Sequence, residues 1–215
     1  MHKIIVDIET TGLPIRDNGK SANPSILKCY DSSRIVELGY YIIDINNNII
    51  KEREFLIKPD NFIISDEVVK IHGITQDRAF KEGKPIKNVL NKLDEDLIYY
   101  KVNTFISHNV DFDKNIILSE CYRLNNETII NKLLSMSNYC TMKDNKIFNN
   151  KWPKLSLLYQ ELFNKEIIVE HRALADVKLC YECYCELMKK EDELNNKDYM
   201  ILRDNKRVKK DISIY

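Results

Sequence analysis

The apolar positions of this chain switch between two periods. Near the N-terminus they fall in short β-branched runs, and further on they recur every three or four residues. Lys3 to Glu9 reads as a first strand. Arg34 to Ile45 and Ile49 to Ile57 read as a hairpin turned by Asn46, Asn47 and Asn48. Thr104 to Ser107 makes a fourth strand, and a short fifth surrounds Tyr139 and Cys140. Helical spacing predicts Asp66 to Ile71, stopped by Gly73, and Pro85 to Tyr99, with proline at its start. It also predicts Val110 to Leu124, Glu127 to Ser135, Lys154 to Phe163 and Ala173 to Lys190. A meander followed by strands alternating with helices predicts an α/β sheet covered by helices. Its expected core is Ile4, Val6, Ile8, Val36, Leu38, Phe105, Ile117, Leu158 and Leu162. A long polar loop spans 14–33, and 191–215 reads as a charged, weakly patterned tail after a domain of 1–190.

Composition narrows the class. The chain has 215 residues, 44% of them hydrophobic, enough for a sizeable core and too many for a disordered chain. Lys and Arg number 33 and so do Asp and Glu, which argues against a binder that holds phosphates by bulk positive charge. No run approaches the ~20 apolar residues of a membrane span, and the N-terminal run is too short for a signal-peptide core. The expectation is an intracellular protein, cytoplasmic or nuclear, not secreted and not bound to a membrane. The six cysteines fit that compartment. Cys180 and Cys183 have the spacing of half a zinc site or a redox pair, but no second ligand pair lies at usable spacing, and the segment reads as a helix carrying reduced thiols.

Three places carry chemistry. Asp7 and Glu9 interrupt an apolar strand and, two residues apart, point to the same face. Paired carboxylates on a sheet repel each other and lose hydration unless a cation joins them. Asn109 and Asp113 lie four apart at the start of a helix, on the face continued by Ile117, Cys121 and Leu124. Asp111 points away and reads as a carboxylate favoured by the helix dipole. His171 and Asp176 are five apart, a net rotation of ~140° on a helix. That places His171 on the preceding loop, where it can exchange protons, and Asp176 on the rigid first turns.

Taken together, Asp7-Ile8-Glu9-Thr10-Thr11-Gly12-Leu13, His108-Asn109 with Phe112-Asp113, and His171 with Asp176 resemble the DEDDh, or DnaQ-like, exonucleases. That family includes the proofreading subunit of bacterial replicative DNA polymerase. His72-Gly73-Ile74-Thr75 also resembles a family segment. The resemblance spans roughly residues 3 to 190. It implies a ribonuclease-H-like fold, a five-stranded mixed β-sheet flanked by α-helices. It also implies a metal-dependent 3′→5′ exonuclease that hydrolyses phosphodiester bonds at the 3′ end of single-stranded nucleic acid. DNA is the first expectation; RNA or short oligoribonucleotides are the alternative, and a non-cutting nucleic-acid or polymerase-binding module is a third.

The resemblance further implies two Mg²⁺ or Mn²⁺ ions ~3.5–4 Å apart, held by Asp7, Glu9, Asp113 and Asp176. Asp7 would bridge both, Glu9 and Asp176 would complete the ion that holds the nucleophile, and Asp113 would support the second. His171 would take the proton of the attacking water. Thr10, Thr11, Gly12 and Leu13 would lie along the terminal nucleotide, with His72, Asn109 and Phe112 as further contacts. Each of the last three also has a plain alternative: a turn residue, a helix-start hydrogen bond and core packing. The expected partners are single-stranded DNA or RNA 3′ ends and a separate polymerase chain. The loop 14–33 either shapes the approach to the site or is an inert insertion. Arg203, Lys206, Arg207, Lys209 and Lys210 either follow a phosphate backbone or form a solvated tail.

Overall fold

The computed structural model describes residues 1–17, 19–145, 152–167 and 170–212, with only the backbone described for 194–212. Its centre is β1 (His2–Thr10). β1 pairs antiparallel with β4 (Ile35–Ile43), which pairs antiparallel with β5 (Ile49–Leu56). On its other side β1 runs parallel to β6 (Val102–Ser107), and β6 runs parallel to β7 (Ser137–Cys140). The sheet therefore has five strands in the order β5-β4-β1-β6-β7.

Alternation along β1 divides the core in two. Ile4, Val6 and Ile8 face a cluster with Leu38, Tyr40 and Phe105. Onto that face pack α3 (Ile86–Tyr99), α4 (Val110–Arg123) and α5 (Glu127–Ser135), through Leu90, Leu93, Ile117, Cys121, Ile130 and Leu133. Ile5 faces the other way, with Tyr41, Ile43 and Ile106, onto Val177, Cys180 and Tyr184 of α7 (Ala173–Ile212). Asp7 and Glu9 share that face. α6 (Leu155–Phe163) lies against α7 through Leu158, Tyr159, Cys183 and Leu187. β4 is covered on both sides, and all nine of its residues are buried.

Eight of the nine expected core residues are buried; Leu162 is only partly so, packed beside the Leu158 cluster. The six cysteines are free thiols. The periodicity missed three features. After α1 (Asp66–His72), a second short helix, α2 (Gln76–Glu82), buries only Ala79 fully, too little apolar surface to show a period. The loop after β1 holds a small hairpin, β2 (Arg16–Asp17) with β3 (Lys20–Ser21), and a 3₁₀ turn at Leu27–Tyr30. Tyr30 anchors it: the ring is fully buried and its hydroxyl donates to the Ala22 carbonyl. Arg123 of α4 donates to the Leu27 carbonyl and the Asp31 carboxylate. Finally, α7 continues past Lys190 to Ile212. The basic side chains 203–210 lie outside the described ones.

Candidate active site

β1 pairs with β6 only from His2 to Ile5, so the two strands part before Asp7. An opening at the carboxyl end of parallel strands is where α/β sheets place their ligands. Into it reach Asp7 and Glu9 from β1, Asp113 from the first turn of α4, and Asp176 from the first turn of α7. Asp113 and Asp176 are 3% and 8% exposed, low enough that unpaired charge there is costly. Glu9, His171 and Asp176 present ligand atoms that all lie within 4.8 Å of one another.

The carboxyls report their crowding. Burial, then Asp113, Asp176, Glu9 and Glu37, push Asp7 well above the usual carboxylate range. Glu9 is pushed from 4.5 to about 8 by burial, then by Asp176, Glu37 and Asp113, with Arg172 pulling it back. Burial raises Asp113 to about 7, although the Ser107 hydroxyl and the main-chain amides of Asp113 and Ile8 oppose it. Asp176 rises to about 6, chiefly by burial, with His171 opposing. One Asp176 oxygen, Oδ1, is buried with no hydrogen-bond partner. Four carboxyls all raised above their ordinary values, one of them with an orphaned oxygen, fit hard divalent cations, which take oxygen ligands and neutralise such a set.

Local sequence explains each position. Asn109 precedes α4, and its carbonyl accepts from the amides of Phe112 and Asp113. Asp111 is exposed, as the helix spacing predicts, and it pairs with Lys143. His108 is used structurally, between the Thr141 hydroxyl and the Pro153 carbonyl. His171 lies on the loop before α7, exposed and at φ 48°. The next two residues are fastened. Arg172 donates to Glu37 at 2.9 and 2.5 Å, and the Ala173 amide donates to the same carboxylate at 3.0 Å. Gly39, opposite Asp7 in the ladder, allows α7 to start there, since a Cβ would lie 2.7 Å from the Ala173 carbonyl carbon. Sequence reasoning missed Glu37, Gly39 and Arg172. The signal was available for Glu37, a carboxylate inside an apolar strand.

The expected substrate contacts divide. Leu13 is an apolar side chain 76% exposed. Thr10, Thr11 and Gly12 build the turn beneath it. The Thr10 hydroxyl donates to the Gly12 carbonyl, which also accepts from Ser33. The Thr11 hydroxyl donates to the Ser32 carbonyl and accepts from the Arg34 amide. His72 is buried; its Nδ1 accepts from the Ile74 amide, and burial lowers its pKa. Phe112 is partly buried against the core.

A family model described as an exonuclease, RNase_T, matches residues 4–184. A PolC-type DNA polymerase III of Caldanaerobacter subterraneus subsp. tengcongensis is 27% identical over 199 residues. That match takes 90% of this chain and spans 12% of the polymerase's length. E. coli exonuclease I in complex with a dT13 oligonucleotide superposes with a TM-score of 0.65 at 19% identity, over 93% of this chain and 43% of that one. The nuclease domain of 3′hExo, a DEDDh family member bound to rAMP, gives a TM-score of 0.61 at 14% identity, over 88% of this chain and 92% of that one. The DEDDh resemblance and the ribonuclease-H-like fold read from the motifs are both borne out.

Proposed function

This chain belongs to the RNase_T exonuclease family, and from that premise we propose that it removes nucleotides from the 3′ end of single-stranded nucleic acid, DNA first. The observation that carries the proposal is the meeting of Asp7, Glu9, Asp113 and Asp176 with His171 where β1 and β6 part. Among DNA and RNA, DNA is favoured because the curated relative is a DNA polymerase and the exonuclease I complex holds dT13.

Asp7, Glu9, Asp113 and Asp176 would hold two Mg²⁺ or Mn²⁺ ions. When bound, the ions supply charge neutralisation at the phosphate and a more acidic water. The protein's own residues do the rest. His171, exposed and a few ångströms from Glu9 and Asp176, takes the proton of the attacking water on a ring nitrogen. A neutral imidazole is needed for that step. Leu13 offers an apolar wall to the terminal base, and the turn from Thr10 to Gly12 holds that wall in place. His72, Asn109 and Phe112 border the terminal nucleotide. A polymerase is the protein partner to test, on the strength of the PolC-type relative.

The test offers single strands of DNA and RNA labelled at the 5′ end or the 3′ end, with Mg²⁺, Mn²⁺ or chelator. Stepwise shortening of 5′-labelled strands, mononucleotide release from 3′-labelled ones, and silence in chelator are expected. Intact 3′ ends in every arm would refute the exonuclease. Faster loss of RNA than of DNA would transfer the reading to an exoribonuclease.

A further inference from the structure

Glu37 is a fifth carboxylate on the face that carries Asp7 and Glu9. It sits directly opposite Glu9 in the β1–β4 ladder, with its side chain 1% exposed. Like charges in that relation repel, and Glu37 raises the pKa of both Asp7 and Glu9. Left alone, its oxygens would be two more candidate ion ligands beside the four. They are not free. Oε1 accepts from Arg172 Nη2 at 2.5 Å, and Oε2 accepts from Arg172 Nε at 2.9 Å and from the Ala173 amide at 3.0 Å. Arg172 Nη2 also reaches Glu54 on β5 at 3.5 Å. The residue before this clamp is His171, held at φ 48°, in the left-handed region that costs an L side chain some strain.

We propose that Glu37 and Arg172 form a positioning lock with two effects. It fixes the turn that presents His171 to Glu9 and Asp176, and it withdraws Glu37 from the ion-ligand set. The first effect deepens the exonuclease reading and rests on it. The second concerns ion binding alone. A fork of two N–H donors on a carboxylate fixes direction as well as distance, so lysine is not equivalent to Arg172. Neither Glu37 nor Arg172 touches substrate in this scheme; both act through His171 and through the neighbouring carboxyls.

The activity test is a double-mutant cycle on end-labelled oligonucleotide with Mn²⁺. Arg172→Ala and Glu37→Gln should each lower kcat by roughly 10²-fold while KM stays within about threefold, because the strand-binding surface is untouched. Placed on His171→Ala, either change should cost less than about threefold more, since the residue it positions is already gone. An equal loss in both backgrounds would mean a structural role and would overturn the positioning claim. Arg172→Lys should fall between wild type and Arg172→Ala. It also decides the matter if Arg172→Ala does not fold, in which case wild-type kcat in Arg172→Lys would sink the lock.

The second readout is calorimetric titration of Mn²⁺ without substrate. Arg172→Ala should bind Mn²⁺ roughly tenfold more tightly, because Glu37 is released and a positive charge is removed. Adding Glu37→Gln should cancel that gain. Unchanged or weaker Mn²⁺ binding in Arg172→Ala would overturn the withdrawal of Glu37, even in a protein that cuts nothing.

Discussion

Replacing Glu9 by glutamine should stabilise the ion-free protein while removing an ion ligand. Burial and its neighbours hold the Glu9 carboxyl at about 8 instead of 4.5, so the folded chain keeps a proton there that the unfolded chain has released. Between about pH 4.5 and 8, folding therefore takes up that proton, and stability falls as pH rises through the window. Taken at face value, the displacement corresponds to roughly 4–5 kcal/mol above pH 8. A Coulomb argument gives a similar size: with Asp176 within 4.8 Å, two charges repel by about 3.5 kcal/mol at an effective dielectric of ~20. Glu9 is only half-buried, and screening reduces both figures to about 2 kcal/mol. Glu9→Gln should thus melt about 4–8 °C higher than wild type in chelator at pH 8, and within about 2 °C of it at pH 5. Circular dichroism melts at pH 5 and pH 8 measure this directly. A variant no more stable than wild type at pH 8, or one with the same gain at pH 5, would refute the electrostatic account.

Four further outcomes follow from the same structure. Mg²⁺ or Mn²⁺ should raise the wild-type melting temperature more at pH 8 than at pH 5.5 and release protons on binding, because Asp113 and Asp176 sit at about 7 and 6; calorimetry in buffers of different ionisation enthalpy counts those protons. Gly39→Ala should cost about 1–3 kcal/mol in denaturant unfolding and lower turnover, since its Cβ would meet the Ala173 and Leu174 backbone at 2.7 and 2.8 Å. Glu120→Ala should cost about 3–5 kcal/mol in the same assay, because it strands Arg34, whose side chain is 13% exposed; Asp31→Ala, which breaks an exposed pair with Arg123, should cost less than about 1 kcal/mol.

Asp7, Glu9 and Asp113 stand out against a local pattern, whereas Asp176 and His171 join them through the family resemblance. Asp7 and Glu9 sit in an apolar strand, Asp113 on an inward helix face, and His171 just ahead of a helix. Glu37 carries the same signal, a charge inside an apolar strand, but the strand propensity of Arg34 to Ile45 masks it. Gly39 and Arg172 carry no such signal. Their roles depend on which helix crosses which strand, and spacing within one element cannot give that. The 14–33 loop looked featureless because its order comes from single anchors, Tyr30 within it and Arg123 from α4, and not from a repeat. α2 escaped for a related reason: with Ala79 alone fully buried, it carries no stripe.

The carboxyl cluster takes its members from the start of the chain, from its middle and from α7. No short segment holds a working subset. A folding intermediate, or a molecule whose α7 has swung off β1 and β4, has neither Asp176 nor His171 beside Glu9. Docking of that helix is thus an arming step. On the proposed function, a chain whose α7 is not docked would leave nucleic acid uncut. The same arrangement makes ion affinity a gauge of global folding, sensitive to damage far from any ligand.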